Sequence, residues 1–123
     1  MIKLSFCLHR LPSLSHAEFC KYWLETHGPL VRSHKGILRI QRYVQTHGLD
    51  DPELDGPLGE SRGGPAPYDG VAELWWKDKA DLMAVVADGA GQVALQILLD
   101  DEKKFIDLPR SPLWFSQENE IIG

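Results

Sequence analysis

The sequence contains few cysteines, and their arrangement is not one that binds a metal. Cys7 and Cys20 are the only two, and they form neither a CxxC pair nor a zinc-finger spacing with histidine. We therefore expect two reduced thiols in a cytoplasmic protein, and no metal site.

Long apolar runs and clusters of positive charge are also missing. The opening stretch MIKLSFCLHRL is too short and too interrupted by charge for a secretory signal or a membrane span. The net charge is -5, and lysine and arginine are scattered without a basic run. A general nucleic-acid surface usually carries a basic patch, so we expect neither nucleic acid nor a membrane as a partner.

Sequence motifs of common cofactor and hydrolase chemistry are absent. There is no GxGxxG, P-loop, HExxH or GxSxG. The histidines other than His27 make no two-His-one-carboxylate spacing. We predict an enzyme or binding protein that works without a cofactor.

The remaining pattern predicts one domain, residues 1–123, with a core of its own. Ser15 and Glu18 form a capping box, which predicts a helix that kinks or breaks at Gly28-Pro29 and continues to about Lys35. Alternating apolar residues predict strands, and a second helical region is hinged near DGAG. The strands are expected at 1–9, 37–46, 69–76 and 113–121, and the second helical region at 79–106, hinged at 88–91.

The predicted order is βαββαβ, which gives an α+β, ferredoxin-like fold: a four-stranded antiparallel sheet with two helices on one face. Both faces of the strand at 69–76 carry large apolar residues, so the uncovered sheet face predicts a second copy of the chain. Residues 47–68 are dense in Gly, Pro and Asp and are expected to form a long loop, either functional or mobile.

His27 is the leading candidate for chemistry. An imidazole titrates near neutral pH and can accept and return a proton, and apolar neighbours should lower its pKa. The alternative is a buried histidine that only bonds a backbone carbonyl. His47 could act as a second acid–base group, and Asp107 could orient His27.

Aromatic and acidic residues offer further candidates. The aromatic residues could be core or could line a pocket for a flat apolar ligand, with Tyr43 the favoured pocket residue. Glu73 is expected to pair with Arg42. The acidic stretch at 100–102 is expected to be a solvated helix face. The aromatic residues of this group are Tyr22, Trp23, Tyr43, Tyr68, Trp75 and Trp76.

Three stretches together resemble the EthD family: SHAEFCKYWLETHGPLV, YDGVAELWWKDKADL and DEKKFIDL. The resemblance spans nearly the whole chain except residues 47–68. It implies a dimeric α/β barrel, in which two ferredoxin-like sheets face each other, with pockets between sheet and helices. By this similarity His27 lies where several members have a catalytic histidine, and Tyr43 and Leu74 line the cavity. The 47–68 loop departs from the compact versions of the family, and we expect it to form a lid over the pocket.

These observations lead to three hypotheses. The first is a cofactor-independent acid–base enzyme, a lyase or dehydratase, isomerase or cyclase, acting on a hydrophobic, oxygenated small molecule. The second is a non-catalytic binding or accessory protein, and the third is a haem- or oxygen-dependent enzyme. The expected substrate-binding residues are Trp23, Tyr43, Tyr22, Leu74, Trp76, His47, Tyr68 and Asp107.

Overall fold

The alternating first strand sets the two faces of the sheet. A computed structural model describes residues 1–123. Strand β1 spans Ile2–Leu8, and its Phe6 and Leu8 are buried on the face that the helices cover. It pairs antiparallel with β3, Gly70–Trp76, so that Leu4 lies opposite Leu74. Side chains at even positions therefore point to the helices, and those at odd positions point away.

Two shorter strands complete the sheet. Strand β2 spans Arg42–His47 and β4 spans Leu113–Ser116, and the strand order is β2-β3-β1-β4 with all pairs antiparallel. This is the predicted ferredoxin-like sheet. The expected strand limits at both edges were too long: β2 begins five residues later, and β4 stops at Ser116 instead of residue 121.

The first helical region continues through Gly28 and Pro29 instead of breaking. Helix α1 spans His16–Tyr22 and begins with the predicted capping box, and α2 spans Gly28–Ser33. Between them, Trp23–His27 form a π turn in which the Gly28 N–H donates to the Trp23 carbonyl. The π turn ends directly before Gly28 and Pro29. Because proline has no N–H to donate, it can begin a new helical stretch without leaving a donor unpaired.

Two predicted elements are replaced by helices. Lys35–Leu38 form the short helix α3 where a strand was expected, and Arg39, with φ 55, ends it. Helix α4, Pro52–Arg62, lies within the expected 47–68 loop. Asp51 caps it by accepting from the Glu53 N–H, and Gly63, with φ 60, closes it. A cap, a proline at the first helical position and a terminal glycine outweigh the Gly and Pro content of the helix interior.

The second helical region is two helices, as predicted. Helix α5 spans Lys79–Ala87, helix α6 spans Gly89–Glu102, and their axes meet at 91°. A Cβ at Gly91 would lie 2.1 Å from the Val85 carbonyl oxygen, so only glycine permits this close approach. Neither helix alone is long and apolar enough to cross a membrane, although the bent pair taken together would be.

The helices bury the face of the sheet that carries Leu4, Phe6 and Leu74, and they leave the opposite face, here named the outer face, without a covering element. On the outer face Lys3 pairs with Glu73 at 2.6 Å, which corrects the expected Arg42–Glu73 pair. Arg42 instead lies over the Trp75 ring, 4.6 Å from its centroid. Lys3 and Arg42 both lie opposite Trp75, on either side of β3. The planar guanidinium of Arg42 stacks on the indole, and the lysine reaches diagonally to Glu73.

Candidate functional site

The π turn brings His27 between the sheet and α6. Trp23 and His27 lie at its two ends, and their side chains are 1% and 5% exposed. Gly70 allows the indole to lie on β3, because a Cβ there would be 2.5 Å from the Trp23 ring. The Phe105 ring packs against the imidazole with centroids 5.0 Å apart. His27 is therefore held among aromatic groups.

His27 has one carboxylate partner, and it is Asp101. The His27 Nδ1–H donates to Asp101 Oδ2 at 2.7 Å, and the Tyr22 hydroxyl donates to Asp101 Oδ1 at 2.5 Å. Asp101 is 7% exposed, so the expectation of a solvated residue at this position was wrong. Asp107, the expected orienter of His27, instead lies 3.7 Å from Arg110.

The charge states of this triad follow from burial and hydrogen bonding. Burial alone would raise the pKa of Asp101, but the hydrogen bonds from Tyr22 and His27 outweigh it and lower that pKa. Burial lowers the pKa of His27, even though Asp101 opposes this shift. Burial and the bond to Asp101 raise the pKa of Tyr22 to about 12. At neutral pH the arrangement is an ionised Asp101 and a neutral imidazole.

The tautomer of that imidazole is fixed as well. An ionised carboxylate can only accept, so the proton of neutral His27 lies on Nδ1. The Nε2 atom has no hydrogen-bond partner in the chain. Its lone pair is therefore available to a molecule in the cavity that the imidazole lines.

That cavity has a volume of about 190 Å³ and lies between the sheet and the helices. Its wall comprises 17 residues, of which 15 are hydrophobic, and the exceptions are His27 and Glu102. Four of the expected substrate-binding residues lie in the wall: Trp23, Tyr43, Leu74 and Trp76. A larger, more open cleft of about 670 Å³ lies between α2 and β2; it shares Tyr43 with the cavity but does not contain His27.

Glu102 differs from the buried acids Asp69 and Asp101, because it is only half-buried. It is the last residue of α6 and lines the cavity, and its carboxyl group makes no hydrogen bond and no ion pair in the chain. Burial, together with the charge of Asp101, raises the pKa of Glu102 to about 7. The expectation of a solvated residue was wrong here too.

A hydrogen-bonded row on β2 supports one side of the cavity. The Gln45 side-chain amide donates to the Tyr43 hydroxyl and to the Trp23 carbonyl, both at 2.8 Å. His47 Nε2 donates to Gln45 Oε1 at 2.8 Å, and its ring stacks on Trp23 with centroids 4.4 Å apart. His47 thus lies behind Trp23, outside the cavity wall.

The other expected site residues lie apart from the cavity wall. Tyr22 is linked to the site by the hydrogen bond from its hydroxyl group to Asp101. Tyr68 is 40% exposed, and its ring packs on His9 with centroids 4.5 Å apart. Asp107 does not line the cavity.

Sequence reasoning missed Asp101 and Glu102, although one signal was available. Ala94, Leu98 and Asp101 follow helical spacing and are all buried, so Asp101 falls on the apolar stripe of α6. A carboxylate on such a stripe needs a partner, and this requirement points to His27 or Tyr22.

A second histidine–carboxylate cluster ties α1 to the start of β3. His16 Nδ1 lies 2.8 Å from Asp69 Oδ1, and His16 Nε2 lies 2.8 Å from the Gly48 carbonyl oxygen. Arg10 donates to the same carboxylate from its backbone and from its guanidinium. Both ring nitrogens of His16 are therefore engaged. No group of three or more His, Cys, Asp or Glu side chains is arranged to hold a metal ion.

The sheet order and the cavity between sheet and helices define an α+β protein of ferredoxin-like fold. The EthD domain profile matches residues 11–109, and the chain belongs to the EthD family. No curated protein matches the chain.

Solved structures with the same fold come from several bacteria. An ethyl tert-butyl ether D (EthD) family protein from Bacillus halodurans is 19% identical, with 97% of this chain and 100% of that chain covered and a TM-score of 0.60. An EthD-like protein from Ralstonia eutropha is 17% identical, with 94% and 89% covered and a TM-score of 0.61. A dimeric protein of unknown function and ferredoxin-like fold from Bacteroides fragilis is 4% identical, with 95% of each chain covered and a TM-score of 0.58.

Proposed function

We propose that this protein is a cofactor-independent acid–base enzyme that acts on a hydrophobic, oxygenated small molecule. One observation carries the proposal. The Nδ1 atom of His27 is bound to a buried carboxylate, while its Nε2 atom has no partner in the chain and the imidazole lines an apolar cavity. His16, by contrast, has both ring nitrogens engaged by groups of the chain, which is expected of a histidine that only connects structural elements.

In this role His27 is the general base. Its lowered pKa keeps the imidazole neutral near pH 7, so Nε2 can take a proton from a bound substrate. Asp101 holds the ring and stabilises the imidazolium that forms, as the carboxylate does in a Ser-His-Asp triad. General acid–base catalysis of this kind contributes about 10²–10⁴-fold, and the rest comes from positioning in the cavity.

The cavity wall supports the proposed substrate class. Its hydrophobic residues favour an apolar skeleton, and Trp23, Tyr43 and Trp76 offer flat surfaces for an aromatic or lactone-like ring. Proton removal beside a carbonyl begins dehydration, isomerisation and aldol-type cyclisation alike. We therefore propose lyase, isomerase or cyclase chemistry.

We also propose that the chain forms a homodimer through the outer face. Trp114 on this face is 49% exposed, and Val71 is only half-buried. Apolar groups of that size on a sheet face favour a covering partner, and one structural neighbour is described as dimeric. The two unpaired cysteines fit a cytoplasmic location.

The test compares His27→Gln with the unchanged protein and with the control His34→Gln. His34 follows the last residue of α2 and is not part of the cavity wall. Exchange of α-protons in apolar ketones and lactones is followed by NMR in heavy water. We expect His27→Gln to lower exchange by about 10²–10⁴-fold and His34→Gln to leave it unchanged. Equal rates for all three proteins would contradict the proposal and favour a binding protein that uses the same cavity.

A further inference from the structure

Glu102 is the one carboxyl group in the cavity wall. The mechanism proposed above, with His27 as the general base, assigns it no role. Asp69 and Asp101, the buried aspartates, each accept at least two hydrogen bonds. Glu102 accepts none, yet it lines the same cavity as His27. Glu102 is half-buried, and its carboxyl group has no partner to stabilise a negative charge, so the apolar wall favours the protonated acid.

The histidine and the glutamate of the wall have pKa values shifted in complementary directions. Burial raises the pKa of Glu102 to about 7 and lowers the pKa of His27. Near neutral pH a neutral base therefore shares one apolar space with a carboxyl group that is protonated in about half of the molecules. Pairs of titratable groups whose environments separate their protonation states are the usual mark of an acid and a base in one site.

We propose that Glu102 is the general acid that works with His27, and that the substrates are apolar ketones with a hydrogen on the carbon beside the carbonyl. The inference rests on the proposed function, because it needs His27 as the base. It adds a second catalytic residue and narrows the substrate class to carbonyl compounds.

The step balances without any further reagent. His27 Nε2 takes the α-proton, and the electron pair of the broken C–H bond forms the C=C bond of an enol. The carbonyl π pair moves to oxygen, which takes the proton from the Glu102 carboxyl group. The products are the neutral enol, a Glu102 carboxylate and a His27 imidazolium, and the reverse step with a solvent-exchanged proton restores all three groups.

Among the groups that face Glu102, only Tyr43 could serve as the general acid in its place. His27 comes from the π turn, Tyr43 from β2, and Asp101 adjoins Glu102 on α6, while β1, β3 and β4 contribute only apolar side chains to the wall. The Tyr43 hydroxyl accepts from Gln45, so its own proton is free to be donated. However, burial raises the pKa of Tyr43 above that of an ordinary phenol, which makes it a much weaker acid than Glu102.

The test follows α-proton exchange of phenylacetone in heavy water with the unchanged protein and four variants. These are His27→Gln, Glu102→Gln, Tyr43→Phe and the control Asp100→Asn, which changes the exposed acid two positions from Glu102. We expect the first two to lose about 10²-fold or more, and the last two to lose less than about tenfold.

The outcomes separate this inference from the function on which it rests. Loss in His27→Gln with an unchanged rate in Glu102→Gln overturns the role of Glu102 and leaves the base intact. If the exchange rate falls in Tyr43→Phe and not in Glu102→Gln, Tyr43 is the general acid, and the role of Glu102 is again overturned. An unchanged rate in His27→Gln refutes the proposed function itself. No exchange by the unchanged protein overturns the ketone assignment.

A second measurement does not depend on a substrate or on the folding of a variant. Carbon NMR of glutamate-labelled protein follows the Glu102 carboxyl group through a pH titration, with Glu102→Gln used only to assign the signal where it folds. We expect the midpoint at about 7. A midpoint in the ordinary range of a solvated glutamate would overturn the inference.

Discussion

Replacement of Asp101 by Asn tests the hydrogen bonds that hold His27 in place. Asp101 accepts one bond from Tyr22 and one from His27 on different oxygens. An asparagine keeps one acceptor and puts a donor in place of the other. Because the Tyr22 hydroxyl can accept as well as donate, the amide can turn its NH₂ to Tyr22 and its oxygen to His27. The hydrogen bonds to Tyr22 and His27 are then both kept, and only the negative charge of the carboxylate is lost.

The magnitude follows from those two bonds. A hydrogen bond to a charged group contributes about 1.5–3 kcal/mol and a neutral one about 1 kcal/mol, so we expect Asp101→Asn to lower the free energy of unfolding by about 2 kcal/mol. Unfolding entropy is about 2.1 cal/mol/K per residue, or about 0.26 kcal/mol/K for 123 residues. The melting temperature should therefore fall by about 8 °C.

Proton exchange should fall as well. The neutral amide no longer stabilises the imidazolium that forms, and a flipped amide would favour the tautomer with the proton on Nε2. In a Ser-His-Asp triad the same change costs about 10⁴-fold. We expect a smaller loss here, about 10²-fold, because Tyr22 permits the productive orientation of the amide.

The assays are calorimetry and α-proton exchange of phenylacetone, with Asp100→Asn as the matched control. Asp100 is exposed, and the control makes the same chemical change one residue away. If the two variants have equal melting temperatures and equal exchange rates, Asp101 neither stabilises the fold nor orients His27, and the reasoning is wrong.

Three further predictions concern other parts of the molecule. The bond to Asp69 raises the pKa of His16, so His16 stabilises fully below about pH 6.5 and this stabilisation is lost as pH rises through its folded-state pKa. Urea unfolding of His16→Gln should show a deficit that shrinks with pH, and a deficit that grows would contradict this. Gly70→Ala should cost about 1–3 kcal/mol by displacing Trp23, as measured by thermal unfolding, and a neutral effect would contradict the close approach. Trp114→Asp should convert the proposed dimer to monomers in sedimentation, and an unchanged mass would exclude Trp114 from the interface.

The sequence was sufficient for the fold because its signals are local. Alternation in β1 and β3 and the capping box at Ser15 each act within a few residues, and the order of elements then restricts the topology. Helix α4 was not predicted because its Gly and Pro content is typical of a loop, and its local helix signals are confined to the cap at Asp51 and the terminal Gly63.

The site was only half predictable, because its chemistry depends on contacts across the fold. His27 and Trp23 could be selected from one helical face, but the partner of His27 lies 74 residues away on α6. Asp101 and Glu102 belong to the charged stretch DDEKK, which is typical of a solvated helix end. Only packing of α6 against the π turn determines that Asp101 is buried and that Glu102 lines the cavity.

The central claim is that His27 is a neutral base with a free Nε2 in an apolar cavity. Long-range proton–nitrogen NMR of the His27 side chain tests it most directly, through a pH titration with and without phenylacetone. The account predicts a proton on Nδ1 alone at neutral pH, a pKa below the ordinary value of 6.5, and an Nε2 signal that shifts when phenylacetone binds. A ring that is doubly protonated at neutral pH, or whose single proton lies on Nε2, would contradict it.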